Sequence, residues 1–192
     1  FASDLEAPEK VGKSAGERAV KRLNPRKVST RKVPIVYDQR VAGSLIGHLS
    51  GAINGASIAR GTSFLKDKLG EKIFADGITI IDDPLRKRGL RSSPFDADCA
   101  TARELGMTTT GHAHRGVSST PSPGASNLHM EAGKASVEEL ISDIDEGFFV
   151  TDLIGSGANI VTGDYSRGAS GFWIEKGKLT YPVSEVTIAG SL

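Results

Sequence analysis

The chain has 192 residues, with 24 Lys plus Arg against 23 Asp plus Glu and a formal net charge of +1. That length suits one domain with a core of its own. Hydrophobic residues at 38% and charged residues at 24% argue against a disordered or fibrous chain. Gly accounts for 23 residues, well above the usual share of about 7%. It predicts many turns and close backbone approaches and argues against a bundle of long helices. No apolar run nears the ~18 residues of a membrane span, and Phe1-Ala2-Ser3-Asp4 lacks the basic and apolar regions of a secretory leader. Cys99 is the single cysteine, so neither an intrachain disulfide nor a cysteine-based zinc knuckle is available, and a reducing compartment fits. The chain opens without Met and stops at Ala189-Gly190-Ser191-Leu192 within a strand pattern, so it reads as part of a longer protein.

Residues 1–40 hold ten basic against five acidic side chains. Val11, Ala15, Ala19, Val20 and Leu23 recur near helical spacing before Asn24-Pro25, so the cations are read as the wet face of an amphipathic helix. No aromatic residue interleaves with them to stack on bases. After a loop from Pro25 to Lys32, Val33-Pro34-Ile35-Val36-Tyr37 predicts a short strand. Residues 40–60 carry Val41, Leu45, Ile46, Leu49, Ile53 and Ile58 among Gly, Ala and Ser, a helix pattern whose small residues permit close packing. Ile78–Ile81 predicts a strand ended by Asp82-Asp83-Pro84. Residues 111–134 read as a long loop rich in Gly, Ser and Pro. Ser136 with Glu139 three residues on is a capping-box pattern opening a helix, with Gly147 ending it. Phe148–Ile154 predicts a strand, and Phe172–Ile188 a hairpin turning at Lys176-Gly177. Helices and strands mix without regular βαβ spacing, so the fold class is α+β, with mixed or antiparallel sheets and a few packed helices.

Gly155-Ser156-Gly157 follows a strand, as in a dinucleotide site. Ile160 then takes the third glycine place and Val161-Thr162 favours strand, leaving no helix N-terminus for a pyrophosphate. Gly133-Lys134 lacks the upstream glycine of a phosphate loop, and no Gly-x-Ser-x-Gly elbow exists. His112-Ala113-His114 has the spacing of a ligand pair on a strand, yet its surroundings read as loop and no third ligand is near in sequence. A backbone-bonded or solvated histidine pair is the better reading. His48 is read as a core or interface histidine, and His129 carries no signal.

Thr162-Gly163-Asp164-Tyr165-Ser166-Arg167-Gly168-Ala169-Ser170-Gly171 is the densest stretch, with polar, charged and aromatic side chains among glycines between two strands. Such loops expose hydrogen-bonding groups and open backbone, which suits capture of a peptide or ligand. The alternative is a tight connection in which Asp164 and Arg167 satisfy the local backbone and each other. Under the first reading Asp164, Tyr165, Ser166, Arg167 and Gly168 border a groove where an extended chain pairs backbone to backbone.

That stretch, continued by Phe172-Trp173-Ile174-Glu175 and Tyr181-Pro182-Val183-Ser184-Glu185-Val186-Thr187-Ile188-Ala189-Gly190, resembles the signature of the TldD/PmbA family, and within it the PmbA branch, also called TldE. Arg60-Gly61-Thr62-Ser63-Phe64-Leu65, Ser92-Ser93-Pro94-Phe95-Asp96 and Thr110-Gly111-His112-Ala113 agree with it. The resemblance runs from about Lys10 to the last residue. After Phe95-Asp96 the family has a longer segment before the Ala-Arg-x-Leu-Gly motif, here Ala102 to Gly106. The expectation is that this segment was either deleted or left out of the numbering between about Ala100 and Thr101, and that the family's N-terminal α/β domain and extreme C-terminus fall outside this sequence.

The resemblance implies a cytoplasmic bacterial protein, once described as a modulator of DNA gyrase, whose TldD-like partner is a zinc metallopeptidase acting on unfolded peptides. In that metallo-subunit the corresponding helix carries His-Glu-x-x-x-His. Anchoring on Arg60-Gly61-Thr62-Ser63 sets Ile46-Gly47-His48-Leu49-Ser50-Gly51 over it, so Ile46 and Gly51 take the histidine places and Gly47 the glutamate place. His48 falls between them, and Cys99 lies in a different motif from the metallo-subunit's C-terminal cysteine ligand. The expectation is a subunit with no catalytic, metal or cofactor residues of its own, zinc being held by a TldD-like partner. The partners expected are that metallo-subunit or a second copy, and an unfolded peptide, with no direct nucleic-acid contact and no membrane. A self-sufficient homodimeric peptidase is one alternative. A regulatory binding protein of the gyrase-modulator type is another, and near-zero net charge counts against it.

Overall fold

The structure is a computed structural model that describes residues 5–92, 99–108, 110 and 112–192. Phe1 to Asp4, Ser93 to Asp96 of the quoted motif, and Gly111 lie outside the described residues. The chain forms two compact units. One comprises Phe1–Val41, Ala135–Ser156 and Arg167–Ile188, the other Ala42–Lys134, Gly157–Ser166 and Ala189–Leu192.

In the first unit the expected N-terminal helix is α1, Pro8–Lys21, with proline at its start, where the missing N–H costs nothing. None of its residues is buried, so the apolar stripe of Val11 and Val20 is exposed along with the cations. Strand β1, Ile35–Tyr37, runs parallel to β6, Glu146–Ile154, in the register Ile35↔Phe148. Between them in sequence, α5 spans Val137–Ile141. Its capping box is complete: Glu139 N–H donates to Ser136 Oγ at 3.2 Å and Ser136 N–H to Glu139 Oε2 at 2.7 Å. The helix stops at Ile141, and Gly147 lies inside β6 rather than ending the helix. A Cβ at Gly147 would crowd the Pro34 carbonyl oxygen at 3.2 Å, so the strand pairing there selects glycine.

Strands β7, Asp164–Glu175, and β8, Lys178–Ser191, complete a sheet ordered β1-β6-β7-β8. The expected turn joins them, with Lys176 at φ 49° and Gly177 at φ 74°, the two positive values that a two-residue hairpin of matching twist requires. The turn's N–H groups donate to Asp145 O and Ile144 O, each at 2.9 Å. Ile141, Phe149 and Ile174 form the core over the sheet, flanked by Val36, Ile144 and Phe172.

The second unit holds α2, Gln39–Ala52, which begins in the first unit, and α3, Gly55–Ala59. The helix expected over residues 40–60 is thus two. Asn54 breaks it, its Oδ1 capping Ala56 N–H at 3.0 Å while its Nδ2 donates to Pro123 O at 2.8 Å. Strand β2, Ile80–Asp82, pairs antiparallel with β5, Leu128–Met130. The short α4, Cys99–Glu104, runs through residues 100 and 101. Strands β3, Ala113–His114, and β4, Ser122–Pro123, also pair. Residues 111–134 are therefore partly built into sheets, contrary to the loop expected. Among the described residues no helix is long and apolar enough to cross a membrane.

Candidate functional site

The segment from Asp164 to Gly168 is strand, the opening of β7, and not the exposed loop the glycines suggested. Residues 157–166 fold back on themselves. Asn159 N–H donates to Asp164 O at 2.8 Å, Ser166 N–H to Gly157 O at 2.7 Å, and Ala158 bridges to Tyr165. Asn159 also accepts Gly163 N–H through its carbonyl and Val161 N–H through Oδ1, and Gly163 takes φ 83°, so the turn depends on its side chain and on glycine. Consequently the 157–159 segment takes up one edge of Asp164–Ser166, and β7 lies between β6 and β8 in the sheet order. The backbone pairing expected of a bound peptide at this point is already made by the protein itself.

Alternation along the strand sorts the five candidates. Asp164 and Ser166 are exposed, Tyr165 is 6% exposed, and Arg167 and Gly168 are half-buried. Asp164 does not pair with Arg167; its carboxylate accepts from Thr162 Oγ1 at 2.6 Å. Of these five candidates, two have a buried polar atom that makes no hydrogen bond to the described residues, Tyr165 Oη and Arg167 Nε. Leaving a buried hydroxyl without a partner costs about 1–3 kcal/mol.

The Tyr165 ring meets the edge of His48, with centroids 5.9 Å apart and planes at 68°. His48 sits on α2, which Asp38 starts by accepting Arg40 N–H at 2.9 Å. Burial works to raise the Asp38 pKa; hydrogen bonds from the Arg40 side chain and backbone, with the charges of Arg40 and Arg18, outweigh it and hold the carboxyl below its ordinary range. At the far end of α2, Ser63 Oγ donates to Ala52 O at 2.6 Å and accepts Leu65 N–H at 3.1 Å. Gly61, at φ 67°, closes α3, and Thr62 N–H returns to Ser57 O at 2.9 Å. The Arg60-Gly61-Thr62-Ser63 motif is thus a helix-ending device that holds α2. Sequence reasoning quoted that motif without seeing this role.

Positions 46, 47 and 51 of α2 are Ile, Gly and Gly, which carry no ligand atoms in their side chains. Among the described residues no group of three His, Cys, Asp or Glu is placed to hold a metal ion. His112 is bonded within the protein: Nε2 lies 3.3 Å from Asp82 O, which accepts only, so Nε2 donates there, with Asp82 Oδ2 3.7 Å away, and Nδ1 shares a hydrogen bond with Thr110 Oγ1 at 2.9 Å. His129 Nδ1 donates to Asn127 O at 2.9 Å.

The sequence profile described as the PmbA/TldA metallopeptidase C-terminal domain matches residues 30–99 and 97–192. The chain belongs to this family. It is 41% identical to the Metalloprotease PmbA of Escherichia coli O157:H7 over 211 aligned positions, covering 99% of this chain and 45% of that protein. Its fold is similar to that of a crystal structure described as a modulator of DNA gyrase from Thermotoga maritima, with TM-score 0.86 and 29% identity, over 98% of this chain and 48% of that one. TldE from Thermococcus kodakarensis matches with TM-score 0.79 and 26% identity, over 95% of this chain and 47% of the other. The chain therefore spans less than half the length of these family members.

Proposed function

We propose that this chain is the PmbA/TldE-type subunit of a TldD-type zinc metallopeptidase complex that acts on unfolded peptides in the cytoplasm, with the zinc held by the TldD-like partner. The observation that carries this reading is α2, Gln39–Ala52, where Ile46, Gly47 and Gly51 stand at the positions to which the resemblance assigns two imidazoles and a carboxylate. A tight zinc site takes three or four converging protein ligands. The name Metalloprotease borne by the E. coli relative favours a second reading, a self-sufficient homodimeric peptidase. Zinc content separates the two. Purified protein dialysed against a mild chelator is expected to hold far less than one zinc per chain, and co-purification with a TldD-like protein should bring both zinc and peptide cleavage. Stoichiometric zinc lost on His48→Ala would overturn the assignment. The shorter stretch near residues 100 and 101 belongs to the same proposal, as a family segment either deleted or left out of this numbering; the two profile matches meet at 97–99, and the 211 aligned positions exceed the 192 residues. An intact mass above 20.2 kDa would show that the segment is present.

For peptide capture the proposed contacts are the side chains of Asp164, Tyr165, Ser166 and Arg167, with Gly168 leaving room beside them, and not strand addition. Because Tyr165 is buried against His48, Tyr165→Ala would confound binding with lost packing; Tyr165→Phe removes the hydroxyl alone. In the assembled complex Tyr165→Phe and Arg167→Met are each expected to weaken peptide binding about five- to tenfold, the worth of one hydrogen bond. Tyr165→Phe should leave the melting temperature unchanged or slightly raised, since a partnerless hydroxyl is removed. Unchanged peptide affinity in both variants would assign these residues to structure alone.

A further inference from the structure

In the second unit, residues 85–91 form a braced turn that displays leucines and cations. Asp83 starts it, Oδ1 accepting Leu85 N–H at 2.9 Å, and Ser92 Oγ donates back to Arg86 O at 2.6 Å. Asn127 clamps it, its Oδ1 accepting Arg91 N–H at 3.1 Å and its Nδ2 donating to Asp83 O at 2.7 Å and to Ser92 Oγ at 2.9 Å. With its backbone tied down, the turn leaves Leu85 70% and Leu90 100% exposed. Arg86, Lys87 and Arg91 are exposed beside them and enter no ion pair among the described residues. The two carboxylates at its base are engaged elsewhere: Asp83 accepts Leu85 N–H, and Asp82 accepts Ser126 N–H at 3.0 Å and Ser126 Oγ at 2.6 Å. The turn is therefore apolar and cationic at once.

Its chemistry narrows what can cover it. A nucleic-acid duplex would take the cations at its phosphates and leave both leucines in water. No Phe, Tyr or Trp lies between residues 75 and 94 to stack on a base. A stable protein interface draws on about 20–30 residues a side, and this turn offers seven. A bilayer needs no complementary pocket: anionic headgroups attract each Lys or Arg, and the acyl boundary takes the leucines. Bracing favours the same answer, because an apolar tip that is already ordered loses little conformational freedom on insertion. The α1 helix also exposes Val11 and Val20, yet Glu9 and Glu17 interleave with its cations and weaken its pull on an anionic surface. Lying on a bilayer requires no helix long enough to cross it.

We propose that the Leu85–Arg91 turn docks this protein on an anionic phospholipid bilayer, with Leu85 and Leu90 at the acyl boundary and Arg86, Lys87 and Arg91 at the headgroups. This goes beyond the subunit reading above and needs neither zinc nor a metallo-subunit. In flotation assays the protein should rise with phosphatidylcholine vesicles carrying about 30% phosphatidylglycerol, and not with phosphatidylcholine alone. Binding should weaken on raising salt from about 50 to about 500 mM, as screening of exposed charges demands. Arg86→Gln with Arg91→Gln is expected to weaken it at least about tenfold, at about fivefold per cation removed. Leu85→Ser with Leu90→Ser should weaken it at least about tenfold at both salt concentrations. Lys13→Gln with Lys21→Gln, the same charge change on α1, should stay within about threefold of the parent. Leu90→Trp puts a reporter at the tip, distinct from Trp173, which is 3% exposed; its emission should shift to shorter wavelength only when anionic vesicles are added. All the substituted side chains are exposed, so unchanged thermal melting will show that each variant is folded. No binding to anionic vesicles, binding untouched by the Arg pair or by the Leu pair, or a larger loss from the α1 pair would overturn the proposal. So would duplex DNA bound more tightly than the vesicles. An indole at position 90 already shielded without vesicles would also overturn it, since the protein would then cover the turn itself. The zinc assay reads none of this, so the two readings fail separately.

Discussion

Replacing Gly171 by alanine is expected to lower the melting temperature by about 6–12 °C. Gly171 sits opposite Val150 in the β6–β7 ladder, where the register shifts between Val150 and Asp152. A Cβ there would collide with the Phe149 carbonyl oxygen and approach Phe149 C to 2.9 Å and Val150 Cα to 3.0 Å. The obstacles are backbone atoms, so no side-chain rotation relieves the clash. Overpacking of this kind costs about 3 kcal/mol at its usual upper end, and a chain of this size loses about 2–4 °C per kcal/mol. Gly190→Ala is the control, since nothing lies within 4 Å of its added Cβ. Differential scanning calorimetry of the two variants checks the prediction. Equal melting temperatures would mean that β6 and β7 do not approach so closely.

Ile174→Ala is expected to cost about 2–5 kcal/mol, the range for emptying a fully buried aliphatic site. Ile174 is 0% exposed and sits in the cluster with Ile141 and Phe149. The change would leave a cavity between α5 and the sheet, bounded by side chains from three separate stretches of chain. Ile154→Ala, at a residue 68% exposed on β6, should stay within about 0.5 kcal/mol. Chemical denaturation of both proteins tests the contrast. A small effect at Ile174 would show that the cluster collapses to fill the space, or that it contributes little to the fold.

Several elements were legible because their signals are local. Ser136 and Glu139 announce α5 three residues apart, and each bond of the capping box is made. Lys176-Gly177 supplies the pair of positive φ angles that a tight hairpin needs. Phe148–Ile154 is a mainly apolar run bounded by a turn, and it is strand. Other elements were illegible because the partner that makes them lies far along the chain. Thr162–Gly171 looks like loop by composition, yet Asp164–Gly171 is strand because β6 and the 157–159 segment hydrogen-bond to it. Of the glycines that suggested looseness, Gly171 is there because the neighbouring strand comes too close for a larger residue. Asn54 reads as one polar residue in a helical pattern until Pro123 is seen to hold its amide.

The candidate site divides in the same way. By itself the sequence determined the family signature, the α+β class and the absence of ligand atoms at positions 46, 47 and 51, since these depend on residue identity and short-range pattern. Only the tertiary structure decided that Tyr165 is buried on His48, that its hydroxyl has no partner among the described residues, and that the edge of Asp164–Ser166 is already paired. Burial and pairing are properties of two surfaces brought together. Residue spacing encodes which side of a strand a side chain takes, and not what stands across from it.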